Sequence, residues 1–374
     1  MTPPFATLAQ AREAYRIWLF DHALPLWWQV GFDHAGGGVL EALSVEGAPL
    51  PAARRGRVQG RQVYTYATAG ELGWHGPWLE AAWAAQDYGL SRFRRPDGLY
   101  RTLVGLDGAA LDETATLYDQ AFAMMGMATL FGQDRARGDL VAAADQIRRS
   151  MEGLRHPAGG FREADDHPFQ ANAHMHILEA AMAWGEVDET GWDPLAAEVV
   201  EMALRIFIDP KGGFVREFFD ADWAPAPGED GRLVEPGHQF EWAWLLTRYG
   251  RKMDRTDICE AAQKMYQVGL IGIDAVRRVA INALWDDYSP RDQTARLWPQ
   301  TEWLKAALIL GDEKNALAAA NSLARYLATP VTGVWFDKLT PDGSFVAEPA
   351  PASSFYHITC AVRELLLAPE VNAV

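Results

Sequence analysis

A glycine followed by a short extended stretch returns along the chain at nearly even intervals. Gly38 leads into Val-Leu-Glu-Ala-Leu, Gly98 into Leu-Tyr-Arg-Thr-Leu, Gly160 into Phe-Arg-Glu, Gly213 into Phe-Val-Arg-Glu-Phe-Phe, Gly272 into Ile-Asp-Ala-Val and Gly333 into Val-Trp-Phe-Asp-Lys-Leu, with spacings of 60, 62, 53, 59 and 61 residues. Six near-equal units mean a repeat architecture, in which each unit buries its apolar face against a neighbour. The Gly272 unit is the weakest match and is included mainly on its spacing.

Stretches with apolar residues at i, i+3, i+4 and i+7 lie between these glycines. They pair as 53–72 with 77–90, 112–131 with 138–154, 167–184 with 193–208, 238–249 with 255–268, 274–284 with 298–310, and 313–327 with 354–367, and a helix over 6–28 completes the set. About twelve helices with no strand-rich half predict a closed barrel of inner and outer helices. The alternative, an open helical solenoid, needs polar capping repeats at its ends. Here the first helix carries Tyr15, Trp18, Phe20, Trp27 and Trp28, and the last carries Phe355 and Tyr356. Both ends need covering, which favours closure of first onto last.

No Ser/Gly-rich tract, charge block or low-complexity run divides the 374 residues, so one domain over 1–374 is expected. A net charge of −16 argues against nucleic acid or an anionic membrane as partner. Cys259 and Cys360 both lie in apolar helical patterns and suggest neither a disulfide framework nor a metal site. With no signal peptide and no run long enough to span a membrane, a soluble cytoplasmic protein is expected.

The polar residues that interrupt the apolar patterns cluster near helix starts. Glu235-Pro-Gly-His238-Gln-Phe-Glu241-Trp242 places His238 and Glu241 on one helical face, where a carboxylate one turn away can fix a histidine's tautomer. Asn172, His176 and Glu179 share a face, Trp298-Pro-Gln300-Thr-Glu302 is a Pro-started helix whose first turn offers Trp, Gln and Glu, and His357 follows Phe355-Tyr356. Arg54, Arg55, Arg57 and Arg61 open the second helix, with Arg61 entering its packed part and needing a partner such as an oxygen-rich ligand. Asp119 reads as a structural hub and Tyr118 as a pocket wall. Zincin spacing, a phosphate-binding loop, a dinucleotide fingerprint and a nucleophile elbow are all absent. A glycoside hydrolase remains conceivable, since Asp119, Glu235, Glu241 and Glu302 supply carboxylates. Yet the recurring ionisable group is histidine, which suits moving a proton on and off a carbon next to a carbonyl at neutral pH.

Taken together, Arg61-Gln62, Tyr118-Asp119, Asn172-x-His174-Met-His176-x-x-Glu179, Glu235-Pro-Gly-His238-x-x-Glu241-Trp242, Trp298-Pro-Gln300-x-Glu302 and His357 resemble the N-acylglucosamine 2-epimerase family. The resemblance implies an all-α (α/α)6 barrel with short β-hairpins in the loops at one mouth. It also implies metal-free, cofactor-free chemistry on a reducing sugar. Carried over, His357 would be the base at C2, His238 would open the ring and deliver a proton at C1, Glu241 would orient His238, and Arg61 would stabilise the enediolate oxygen. Tyr118, Asn172, His176, Glu235, Trp298 and Gln300 would hold the sugar. The expected reaction is interconversion of D-mannose and D-fructose by a monomer or homodimer. Monosaccharide 2-epimerisation is the alternative. A phosphorylated or sulfonated sugar would need an added cationic pocket, which Arg54, Arg55 and Arg57 could supply. A sugar-binding barrel without turnover is the remaining possibility.

Overall fold

Two kinds of helix alternate along the chain, and burial tells them apart. The computed structural model describes residues 4–188 and 191–369. The helices α1 (Leu8–Ile17) and α2 (Leu24–Val30) form one rod joined through the π-helical turn Trp18–Ala23. They are followed by α3 (Gly56–Glu71), α4 (Trp78–Tyr88), α5 (Leu117–Gln133), α6 (Gly138–Met151), α7 (Ala171–Val187), α8 (Asp193–Met202), α9 (Pro236–Lys252), α10 (Thr256–Ile271), α11 (Leu297–Ile309), α12 (Glu313–Tyr326) and α13 (Ser353–Leu367). The helices α3, α5, α7, α9, α11 and α13 are buried over most of their circumference, as expected of helices in an interior. Each packs on the next, and α13 packs back on α3 to close a ring of six. Around it, α4 covers α3, α6 covers α5, α8 covers α7, α10 covers α9, α12 covers α11, and α1 lies against α12 and α13. This is the expected (α/α)6 barrel. No helix among the described residues is long and apolar enough to cross a membrane.

First and last units close on each other through aromatic side chains. The Tyr15 hydroxyl donates to Ala320 O at 2.7 Å, the Trp27 indole N–H donates to Gly333 O at 3.0 Å, and Trp27 stacks on Trp335 with centroids 4.9 Å apart. These contacts bury the polar atoms of large rings while satisfying them.

The helix predicted over 274–284 is not formed. Ile273–Asp274 pairs with Val279–Ala280, and Ala283–Trp285 lies between Leu233–Val234 and Pro290–Asp292 in a small sheet. The Asp274 carboxylate accepts from the amides of Val276 and Arg277 at 2.9 and 2.8 Å, and Arg278 adopts φ 55°. This local side-chain capping stabilises a turn against the helix that the apolar spacing suggested. The pairing therefore shifts: α11 is partnered by α12, and α13 by the N-terminal rod. Gly272 is likewise no counterpart of the other glycines. It ends α10 at φ −76°, whereas Gly38, Gly98, Gly160, Gly213 and Gly333 all have positive φ.

Five of the extended segments are tied to the barrel by a side chain in the first turn of the following inner helix. The Gln59 amide accepts from Val39 N–H and donates to Val39 O at 2.9 and 3.1 Å, pairing with the backbone as another strand would. Gln120 does the same to Tyr100, Gln239 to Val215, and Gln300 to Ala280. In the third unit His174 takes the position, accepting from Phe161 N–H at 3.0 Å with its other ring nitrogen on Gln170 O. The strands Arg54–Arg55, Leu233–Val234, Ala295–Arg296 and Ala350–Pro351 each directly precede an inner helix, and they pair across units. Inner-helix N-termini thus share one mouth, ringed by hairpins.

Candidate active site

Three inner helices bring histidines to this mouth: α7 supplies His176, α9 His238 and α13 His357, all buried. Each has Nδ1 against a carboxylate. His176 Nδ1 lies 3.1 Å from Glu179 Oε2, His238 Nδ1 2.7 Å from Glu217 Oε2, and His357 Nδ1 2.9 Å from Glu302 Oε1. Where such a carboxylate is ionised it can only accept, so Nδ1 would carry the proton and Nε2 would be left for other partners.

The expected partner of His238 was Glu241, and the structure corrects this. Glu217, in the extended segment after Gly213, holds the ring, and Glu235 stands 3.6 Å from the same nitrogen. Glu241 lies deeper. Both its oxygens are buried without a hydrogen-bond partner among the described residues, within 4.8 Å of ligand atoms of His176 and Glu179 on one side and of Glu302 and His357 on the other. It faces the floor of the site.

Trp298 stands between the two outer histidines, its ring centroid 5.0 Å from His238 and 5.9 Å from His357. It rests on Gly237, where a Cβ would approach the indole to 2.4 Å. A flat ring between two proton carriers is a suitable floor for a sugar. Arg61 occupies the opposite wall. Its guanidinium lies 4.1 Å above the Phe122 ring, Nη2 donates to the Tyr118 hydroxyl at 2.6 Å and Nη1 to Ser353 O at 3.2 Å, while Nε has no hydrogen-bond partner among the described residues. The side-chain oxygen of Asn172 is also buried, with no hydrogen-bond partner among the described residues.

Electrostatics set the histidines apart. Burial disfavours charge on both His238 and His357. Around His238 the carboxylates of Glu217 and Glu235 outweigh burial and hold the imidazolium up to about 10. Around His357 burial acts together with the charges of Arg61 and Lys305 and drives its pKa well below the usual value. Burial likewise lowers His176, against the opposing pull of Glu179. Burial raises Glu241 strongly, reinforced by Glu302 and only partly offset by Lys305. At neutral pH these shifts favour the charged form of His238 and the neutral form of His357.

Several expected residues have other roles. Gln300 does not line the cavity. Its oxygen accepts from Ala280 N–H and Ser322, and its nitrogen donates to Ala280 O and Arg296 O, which exhausts the amide. Of the cationic trio, Arg54 pairs with Asp33 and Arg55 with Glu41, so they are no free anion pocket. Arg57 is only 3.6 Å from Asp119 and lies over the Tyr118 ring. Asp119 is the structural hub expected, accepting from Thr102, Thr116 and the Arg57 amide. Sequence reasoning missed Glu217, gave Glu302 a part only in the glycoside-hydrolase alternative, and gave Tyr356 none. Tyr356 donates to Glu179, and Glu302 carries His357. The signal for Glu217 was a carboxylate that, with Arg216, interrupts the apolar repeat segment after Gly213.

The groups His176/Glu179/Glu241, Glu217/Glu235/His238 and Glu241/Glu302/His357 also have the donor types for a divalent cation. The experiment below therefore includes a chelator.

Comparison with known proteins agrees with this geometry. The sequence profile of the N-acylglucosamine 2-epimerase family matches residues 37–361. A mannose-6-phosphate isomerase of Rhizobium meliloti (strain 1021) is 46% identical over 366 residues, covering 93% of this chain and 95% of that protein. Among solved structures, cellobiose 2-epimerase from Spirochaeta thermophila DSM 6192 superposes with a TM-score of 0.85 at 22% identity, covering 96% of each chain. A D-mannose isomerase superposes at 0.84 with 19% identity, covering 98% of this chain and 99% of the other. Family profile and full-length relative place the chain among sugar isomerases and epimerases: it belongs to the N-acylglucosamine 2-epimerase family.

Proposed function

We propose that this enzyme is an aldose–ketose isomerase interconverting D-mannose and D-fructose. The observation that carries the reading is the oppositely poised pair, His238 charged and His357 neutral, on either side of Trp298. The protonated His238 assists opening of the sugar ring. The free Nε2 of His357 removes the C2 proton, and the carbonyl at C1 becomes an enediolate oxygen beside the Arg61 guanidinium, in a site where fixed charge acts strongly. Return of a proton to C1 and formation of the carbonyl at C2 give the ketose. Return to the opposite face of C2 would give the 2-epimer, from the same enediolate. The acid/base roles of His238 and His357, the charge role of Arg61, and sugar contacts from Tyr118, Asn172, His176, Glu235 and Trp298 are part of this proposal, as are action without metal or cofactor, a cytoplasmic setting and a monomer or homodimer.

A second reading is supported by two observations. A relative of 46% identity is named a mannose-6-phosphate isomerase. Arg57, one turn before Arg61, has only the 3.6 Å approach to Asp119 and no side-chain hydrogen bond among the described residues. On this reading the substrate is mannose 6-phosphate and Arg57 is available to its phosphate.

Proton NMR in deuterated water with EDTA tests both. Fructose with deuterium at C1, formed from mannose, is the expected product. Glucose with deuterium at C2 would make the enzyme a 2-epimerase. A strong preference for mannose 6-phosphate, lost in Arg57→Met, would establish the second reading. Activity restored only by added divalent metal would overturn the metal-free mechanism. Full activity in His357→Asn would overturn the histidine pair altogether.

A further inference from the structure

Lys305 is fully buried beneath the site, one turn after Glu302 on α11. Its Nζ lies 2.6 Å from Glu302 Oε2 and 3.9 Å from the centroid of Trp244. Glu302 is thus a bridge, with Oε2 on the lysine and Oε1 on His357 Nδ1 at 2.9 Å. A lysine is costly in such a place, so its partner is informative.

We propose that Lys305 is a positioning residue for proton transfer: by keeping Glu302 ionised it fixes His357 in the tautomer whose Nε2 is free to act as base. The inference rests on the isomerase reading for its consequence but not for its test. An ionised Glu302 can only accept, so Nδ1 must donate and Nε2 keeps its lone pair. A protonated Glu302 can donate to Nδ1, which moves the ring proton to Nε2 and removes the base. Burial presses Glu302 toward the protonated form, and Lys305 is the chief group opposing it. Glu241 and Glu179 also bear on the lysine, so it neutralises a pocket crowded with carboxylates.

The test is 15N NMR of histidine-labelled protein without sugar, with His357 assigned by its loss in His357→Asn. Wild-type His357 is expected to be protonated on Nδ1, and Lys305→Met to shift the proton to Nε2. With the preferred sugar, the same variant should lose on the order of 100-fold in kcat with little change in KM, the scale of a general base. If Lys305→Met leaves Glu302 unpaired and does not fold, Lys305→Gln serves instead: its amide gives Glu302 a neutral donor, and with the fixed charge gone His357 should still lack the Nδ1-protonated tautomer. A folded variant of either kind that keeps His357 protonated on Nδ1 overturns the inference. Because this readout needs no turnover, it fails separately from the choice of substrate.

Discussion

His238 and His357 are the same side chain with opposite poise, and their neighbours make the difference. His238 has two carboxylates at Nδ1, whereas His357 shares its single carboxylate with a lysine. For His238 the folded pKa of about 10 lies above the ordinary 6.5. Its contribution to stability is therefore complete below about pH 6.5 and lost as pH rises through about 10. Glu217→Gln should accordingly be less stable than wild type at pH 6, with the gap in urea midpoint narrowing toward pH 10. A gap that widened with pH would show that Glu217 does not hold the charged ring. If His238 is the acid of the proposed reaction, the same substitution should also lower kcat by roughly 100-fold, since the ring loses the carboxylate that most favours its charged form. His238 and His357 could be singled out because polar clusters recur near helix starts in apolar patterns, but that signal is not selective: His174, in the same kind of setting, is a structural clamp. Their partners were harder to read. Glu241 is one turn from His238 and looks like its orienter on a helical wheel, but the ring turns instead to Glu217, 21 residues upstream in the preceding segment. No local periodicity encodes that contact.

The helices were legible from apolar spacing, whereas the hairpins were expected only through the family resemblance and were not placed, because apolar spacing records which face is buried but not what a turn residue does with its side chain. Asp274 and Arg278 make a turn where 274–284 reads as a helix. The glutamine clamp escaped notice for a related reason: Gln59, Gln120, Gln239 and Gln300 look like site polar groups until their backbone partners are known. Gln300→Leu separates the two roles. It strands the N–H and C=O of Ala280, at about 1–3 kcal/mol each, so the urea midpoint should fall markedly while KM for the sugar in surviving folded enzyme stays near wild type. A large rise in KM without loss of stability would return Gln300 to the sugar site. Gly237→Ala probes the junction of α9 with α11. A methyl there meets the Trp298 ring at 2.4 Å and must push it from between the histidines. KM should rise roughly 10-fold, as expected when a positioning surface moves by about 1 Å. Unchanged kinetics would mean that Trp298 does not support the substrate.

Closure decides whether six similar units behave as one body. In an open repeat array each unit touches only its neighbours, and stability can be lost from an end inward. Here α13 packs on α3, and the N-terminal rod seals the join through Trp27, Trp335 and Phe355. The glycine spacing and the aromatic character of both ends made that closure readable before any contact was known, even though one of the six units was misassigned. The site needs it as well, since Arg61 on α3 bonds Ser353 at the start of α13 and lies between Tyr118 and Tyr356. Trp27→Ala removes a buried ring and the hydrogen bond to Gly333, a loss of about 3–5 kcal/mol. In a closed barrel that loss should move a single urea transition to lower denaturant, with far-UV circular dichroism, tryptophan fluorescence and enzyme activity declining together. If helicity persisted after activity and fluorescence had gone, the first and last units would be separable, and the ring would be a solenoid whose ends merely touch.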